Sequence, residues 1–393
     1  GRGRRGKAAA RLGRDQQQQR APVTAVSVGM AAASALALIA FVVFATLRGA
    51  PEAASAEGAT AATSHHMLAT KVDGTAVVVP RLYAHSVVAS YPHDHGCFSQ
   101  GLTFAPAEAK PAAANGAVLY ESCGMYRRSQ VRAVDLKSGE VLVSAANDDH
   151  DFGEGLALAP GDPSSIGVKN SSGGGAEAGG NAWTVYQLLW HTNMVKTYTA
   201  ATLQPGPLVY TSMPGDRKQP NGLPVPGGDG WGLAFDGTHL IGSDATSTLY
   251  FYEPRTMAEV RRVTVQDEGQ PVKWLNELEV IHGEVWANIW QRDCIARIDP
   301  ASGAVTGWVL LTGLEADAAA HMPKDTNVRM DVLNGIAFDS WGNETIDGGR
   351  IFVTGKQWPR LYEITVQELG WPGQMDLATV RKHCIIPEHM RTP

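Results

Sequence analysis

The sequence predicts an all-β protein, a five-bladed β-propeller preceded by a single N-terminal transmembrane helix and a flexible stem. Three observations carry this prediction. A charge-free apolar stretch lies near the N-terminus, a short phrase recurs five times in the body, and each copy opens a set of brief apolar runs bounded by Gly, Pro, Asp and Ser. At 393 residues the chain is too long for one ordinary core, unless that core is built from repeats or the excess is linker. Its 44% hydrophobic and 18% charged residues exclude wholesale disorder.

Residues 1–20 hold Arg2, Arg4, Arg5, Lys7, Arg11, Arg14 and Arg20 against Asp15 alone, leaving 26 basic and 38 acidic residues for the rest. A body that acidic argues against nucleic acid as a partner, because phosphate binding needs clustered Lys and Arg. Residues 21–47 contain no charge, and such a run is about long enough to cross a ~30 Å hydrocarbon layer as a helix. It exceeds the ~7–15-residue apolar region of a cleaved signal peptide, the alternative reading. The basic flank precedes it, so the positive-inside bias puts residues 1–20 in the cytosol. The chain beyond 48 is then lumenal, in the endoplasmic reticulum or Golgi, with secretion as the alternative. Residues 48–82 are rich in Ala, Ser, Thr and Gly without a sustained period and read as a disordered stem. His65 and His66 within it read as solvated. The remaining segment, 83–393, is the expected propeller.

The recurring phrase is a polar or aromatic residue, then Gly, then an apolar residue: Gln100-Gly101-Leu102, Glu154-Gly155-Leu156, Trp231-Gly232-Leu233 and Asn334-Gly335-Ile336. Glu277-Leu278-Glu279 is a fifth copy with the glycine replaced. A second and a third apolar run follow each phrase, and three or four short strands per unit make a propeller blade. The spacings are 54, 77, 46 and 57 residues. The longest is inflated by two loop-like insertions, 161–182 and 213–230. Residues 85–91 precede the first phrase and are placed to supply the outer strand of the last blade, closing the ring. No helix of consequence is expected between 83 and 370.

Inner strands line a propeller's channel, and alternate side chains point into it. The phrase positions Gln100, Glu154, Trp231, Asn276 or Glu277, and Asn334 are therefore candidates for a polar, aromatic-walled pocket. Trp190, Trp290 and Lys356 end second strands and join them. Trp183, Trp286 and Trp308 read instead as wedges between blades. His93-Asp94-His95 reads as a hydrogen-bonded turn before the first inner strand.

The motifs FSQGLTF, FGEGLAL, GWGLAFDGTHLIGSDATSTLYF, LNELEVIHGEVWANIWQRDCIARID, DVLNGIAFD and IFVTGKQWPRLYEI, in this order, resemble the plant-type (papaya-like) glutaminyl-peptide cyclotransferase family. The likeness spans about residues 84–385. It implies a five-bladed β-propeller, unrelated in fold to the animal zinc enzymes. The implied activity converts the N-terminal glutamine of peptides and proteins to pyroglutamate with loss of ammonia. The family's site positions fall on Phe98, Gln100, Phe152, Glu154, Trp190, Trp231, Asn276, Trp290 and Lys356, all with the family's residue type. The 161–182 insertion, the loop around 341–349 and YRRSQVR depart from the family at the rim.

These groups suit the chemistry. The substrate's α-amine attacks its own γ-carboxamide carbon, and five-membered closure supplies much of the proximity. The enzyme must hold the bent glutamine, deprotonate an amine of pKa ~7.7–8.0 and protonate the departing ammonia. Glu154 is the candidate for both proton steps. Lys356 and Asn276 are candidate catalytic donors to the carboxamide oxygen or peptide backbone, with Gln100 as a binding donor. Phe98, Phe152, Trp190, Trp231 and Trp290 would wall the substrate site. No metal or cofactor is expected, since C-x-x-C and H-E-x-x-H are absent. Two other functions compete. One is a calcium-dependent lactonase-like hydrolase using the Asn and Glu of VLNGIAFD and NELE as ligands. The other is a non-catalytic interaction platform.

The four cysteines are expected to pair as Cys97–Cys123, brought opposite each other by the first hairpin, and Cys294–Cys384, stapling the chain end to the ring. Four free thiols are the alternative. Asn170-Ser171-Ser172 and Asn343-Glu344-Thr345 are glycosylation sequons in loop-like stretches.

Overall fold

A computed structural model describes residues 69–72, 75–166, 182–215, 228–340, 348–370 and 376–387. The chain divides into the units Gly1–Thr63 and Ser64–Pro393. The first, with the expected cytosolic tail and membrane anchor, lies outside the described residues, as do Asn170 and Asn343. Among the described residues no helix is long and apolar enough to cross a membrane.

The second unit is all-β and propeller-like. Three of its sheets are four-stranded, each joining strands in sequence order with antiparallel neighbours. They begin at Ser99–Phe104, Gly153–Pro160 and Leu233–Phe235. An eight-stranded sheet and two two-stranded ones complete the described strands. One half of the eight-stranded sheet runs from Leu275–Ile281 to Val305–Leu310, and the other from Leu333–Asp339 to Arg360–Glu368. Arg81–Pro92 lies between the halves. It pairs antiparallel with Arg360–Glu368 and, through Arg81 to Ala84, parallel with Gly307 to Leu310. The N-terminal strand thus supplies the outer edge of the last four-stranded group, as the position of residues 85–91 predicts. Its parallel seam to the preceding group has no counterpart in the sequence pattern.

The five strands that carry the recurring phrase touch in cyclic order, from Ser99–Phe104 through Leu333–Asp339 and back. The glycines explain the phrase. A Cβ on Gly101 would lie 2.3 Å from Leu156 N, and one on Gly155 2.4 Å from Leu233 N, so neighbouring inner strands approach backbone to backbone. Buried apolar side chains collect between neighbouring groups: Val118, Tyr120 and Val131 with Leu156 and Val185, or Leu102 and Phe104 with Phe352 and Leu361. Each group buries its faces only against its neighbours, which is why such units require a closed array. Trp286 and Trp308 are buried between groups and Trp183 is packed at such a seam, as wedges should be.

Three local expectations change. Leu314–Ala320 is an α-helix where none was expected; its LEADAAA sequence is rich in helix formers, and Tyr362 Oη donates to Asp317 Oδ2 at 2.7 Å to hold it against the sheet. Within the expected stem, Ala69–Val72 pairs with Thr75–Val78, where β-branched residues favour strand. Residues 228–230, read as part of a surface insertion, are buried. Both disulfides form as expected, Cys97–Cys123 and Cys294–Cys384. The second ties the helix Leu377–Cys384 to the strand Cys294–Ile298.

Candidate active site

In four of the five phrases the inner strand is irregular at the polar residue. Register slips between Ser99 and Gly101, between Gly153 and Leu156, between Leu275 and Leu278, and between Leu333 and Ile336. Such bulges re-aim a side chain that regular alternation would bury in a seam. They bring Gln100, Glu154, Asn276 and Asn334 to the ring's interior, all buried. Gln100 Nε2 donates to Glu154 Oε1 at 3.0 Å, and Asn334 Nδ2 donates to Ser99 O at 2.9 Å and Gln100 Oε1 at 3.3 Å.

Aromatic rings cluster beside the strands that carry these residues. Phe98 meets Phe152 edge to face at 6.1 Å, and Phe152 meets Trp190 at 5.2 Å. Trp231 meets Trp290 at 5.9 Å. Lys356 places Nζ 5.0 Å from the Phe98 centroid and is itself buried. Asn276 adjoins through its backbone: its carbonyl accepts from Ser243 Oγ, which also receives the Gly232 N–H beside Trp231. All nine sequence-predicted residues are therefore gathered. Asn276 Oδ1 is buried without a hydrogen-bond partner among the described residues.

Burial pushes the Glu154 carboxyl well above the usual carboxylate range; Lys356 opposes this and Asp229 adds to it. Burial likewise lowers Lys356, against the pull of Glu154 and Asp331. Both groups are thus pressed towards their neutral forms in a dry site.

Asp229 and Trp274 escaped the sequence reading. Asp229 Oδ1 accepts from Trp190 Nε1 at 2.7 Å and from Trp231 Nε1 at 3.1 Å, joining walls from two groups. Its loop-like Gly-Asp-Gly context hid it, although its place two residues before a phrase tryptophan was a signal. Trp274 packs on Trp231 and Trp290, at 6.0 and 5.3 Å.

Glu277 has a different place. It accepts from Leu102 N at 3.1 Å and Ile336 N at 2.8 Å, binding inner strands of two other groups. Asn334 Nδ2 is engaged by Ser99 and Gln100, while its Oδ1, like that of Asn276, is buried without a hydrogen-bond partner among the described residues. The His93 turn is also fully engaged, with His93 bonded to Trp358 O and Glu121, and Asp94 to Gly96 N and Arg132. The two closest groupings of metal-ligating side chains among the described residues, Cys97–Glu121–Cys123 and Asp293–Cys294–His383, both include disulfide cysteines.

Four-stranded groups around a buried acid, a buried lysine and a cluster of indoles define an enzyme of propeller-like fold. The family model described as glutamine cyclotransferase matches residues 57–171 and 179–366. A glutaminyl-peptide cyclotransferase of Arabidopsis thaliana is 39% identical over 288 residues, 73% of each chain. The crystal structure of Myxococcus xanthus glutaminyl cyclase is 28% identical, with a TM-score of 0.54 over 74% of this chain and all of that one. The chain belongs to the glutamine cyclotransferase family.

Proposed function

We propose that this chain cyclises the N-terminal glutamine of peptides and proteins to pyroglutamate, releasing ammonia. The observation that carries the reading is Glu154, a buried carboxyl of raised pKa held by Gln100. A carboxyl raised towards the pKa of an α-amine is matched to exchange protons with it. The amine nitrogen attacks the γ-carboxamide carbon, Cδ, and the Glu154 carboxylate takes the proton that this nitrogen sheds. The same proton passes to the amide nitrogen as its bond to carbon breaks, so ammonia leaves and the carboxylate is restored. Asn276 Oδ1 offers an acceptor to a substrate N–H, and Lys356 a donor to the carbonyl oxygen as it gains charge.

The two halves of the eight-stranded sheet count as separate blades in this reading, giving five with the three four-stranded sheets. Mass spectrometry of a Gln-initiated peptide incubated with the full chain tests the activity. Loss of about 17 mass units, one ammonia, is expected; an unchanged peptide overturns it. Activity retained in chelator separates the cyclase from a calcium-dependent hydrolase.

We also propose residues 21–47 as a single membrane anchor, with residues 1–20 cytosolic and the propeller lumenal. The charge asymmetry and two disulfides support an oxidising lumen. Glycosidase should increase gel mobility of protein from a eukaryotic host, and release of the propeller into the medium would favour secretion.

A further inference from the structure

We propose that Tyr126 and Met125 form a shelf at the pocket mouth for an apolar, preferably aromatic, side chain on the substrate's second residue. The assignment rests on the cyclase reading above. In that reaction the glutamine's amine and carboxamide both lie at Glu154, so the peptide beyond glutamine must leave through the mouth. Consecutive Cα atoms are ~3.8 Å apart, which puts the second side chain against the rim rather than in the pocket.

The rim offers one feature of the right kind. Tyr126 meets Phe152 edge to face at 5.3 Å, and Phe152 is the ring that touches both Phe98 and Trp190. Tyr126 therefore continues the aromatic wall outward. Exposure rises along that line from 8% at Phe152 to 48% at Tyr126, with Met125 at 36%. The turn presenting them is fixed. Gly124 N donates to Phe98 O at 2.8 Å, Arg128 N to Met125 O at 3.1 Å and Arg127 N to Asp149 O at 3.1 Å. Gly124 seats the turn on the wall, since a Cβ there would lie 2.4 Å from Phe152 Cε1. Met125 and Arg127 hold left-handed backbone, with φ of 83° and 67°. Non-glycine residues keep such conformations where the surroundings over-determine them, a pattern that clusters at ligand contacts. A tyrosine on a rigid turn presents a large contact area with little rotamer entropy to lose. Around it, exposed Arg127 and Arg128 alternate with exposed Asp148 and Asp149, so no single-sign field selects the second residue.

The test compares kcat/KM of the full chain for Gln-Phe-Ala-amide and Gln-Ala-Ala-amide, in wild type, Tyr126→Ala and Tyr126→Phe. An aromatic contact of this type corresponds to a preference of roughly 3- to 10-fold for the Phe peptide. The preference should fall to within about twofold in Tyr126→Ala and persist in Tyr126→Phe, which keeps the ring. Equal wild-type rates, a preference that survives Tyr126→Ala, or an equal loss on both peptides overturns the shelf and leaves the cyclase standing. Cyclisation of neither peptide by wild type overturns both readings.

Discussion

Glu154 and Glu277 occupy corresponding phrases of two inner strands, are both buried, and are both pushed well above the ordinary carboxylate range by that burial. Their partners separate them. Glu277 accepts two backbone N–H groups from the inner strands of other groups, bonds that oppose its rise while its neighbour Glu279 adds to it. Glu154 accepts a side-chain amide and feels Lys356. A third buried carboxyl, Glu121, goes the other way: burial raises it, but Arg132 and His93 hold it far below the usual range. Burial alone therefore does not mark a catalytic acid. Glu277 is bonded to the backbone of its own ring and acts as a fastener, Glu121 is neutralised by its cations, and Glu154, held by one side-chain amide, is left to act as the reagent.

The largest expected effect is on Glu154. Glu154→Gln keeps an acceptor for Gln100 Nε2 but removes the proton carrier, so turnover should fall roughly 10²–10⁴-fold. Melting should barely move, because no backbone donor loses its partner. Wild-type turnover in this variant would erase the contrast with Glu277. The pH profile sharpens it. The carboxylate of Glu154 must be present to accept the proton, and burial raises its pKa, so activity should be lost as pH falls while still above the ordinary carboxylate range. An acid limb of kcat/KM at the ordinary value of ~4.3 would contradict the raised carboxyl.

Glu277→Ala should show the reverse signature. It leaves the Leu102 and Ile336 N–H groups buried without their acceptor, at about 1–3 kcal/mol each. Relief of a buried carboxyl offsets part of this, so a net loss of roughly 2–4 kcal/mol in denaturant unfolding is expected. Activity per folded molecule should stay nearer wild type than in Glu154→Gln. A variant as stable as wild type would show that the ring does not need this fastener.

This division was half legible in the sequence. The five phrases located every inner strand, and the residues before the first phrase announced the closing strand because both are local patterns. The positions proposed for the site were read from the phrases and strand ends, and both cysteine pairs follow from a hairpin and a chain end. The bulges were not legible, because one extra residue in a strand leaves no compositional trace; without them, Asn276 and Glu277 remained interchangeable. Asp229 was lost because its glycine neighbours look the same in a surface loop and in a buried turn. The parallel seam between Arg81–Pro92 and Val305–Leu310 depends on a pairing across more than two hundred residues, which no local period encodes.

The smallest effect concerns Glu279, two residues from Glu277 and part-buried, with hydrogen bonds from the Val280 N–H, Thr103 and Phe338. Burial pushes it up to about 8, so the folded state holds its proton at pH values where the unfolded chain has released it. The sign follows. Its contribution to stability is complete below about pH 4.3 and is lost as pH rises through about 8. Melting temperature should decline from pH 5 to pH 8.5, and Glu279→Gln, which cannot titrate, should flatten that decline by roughly a few degrees. Partial exposure lets solvent weaken the shift, which is why this effect ranks last. Comparing the two slopes cancels the other groups that titrate in the window, among them His93, held above its ordinary value by Glu121 against burial. Parallel slopes in wild type and Glu279→Gln would place Glu279 with the solvated surface carboxylates rather than with the fasteners of the ring.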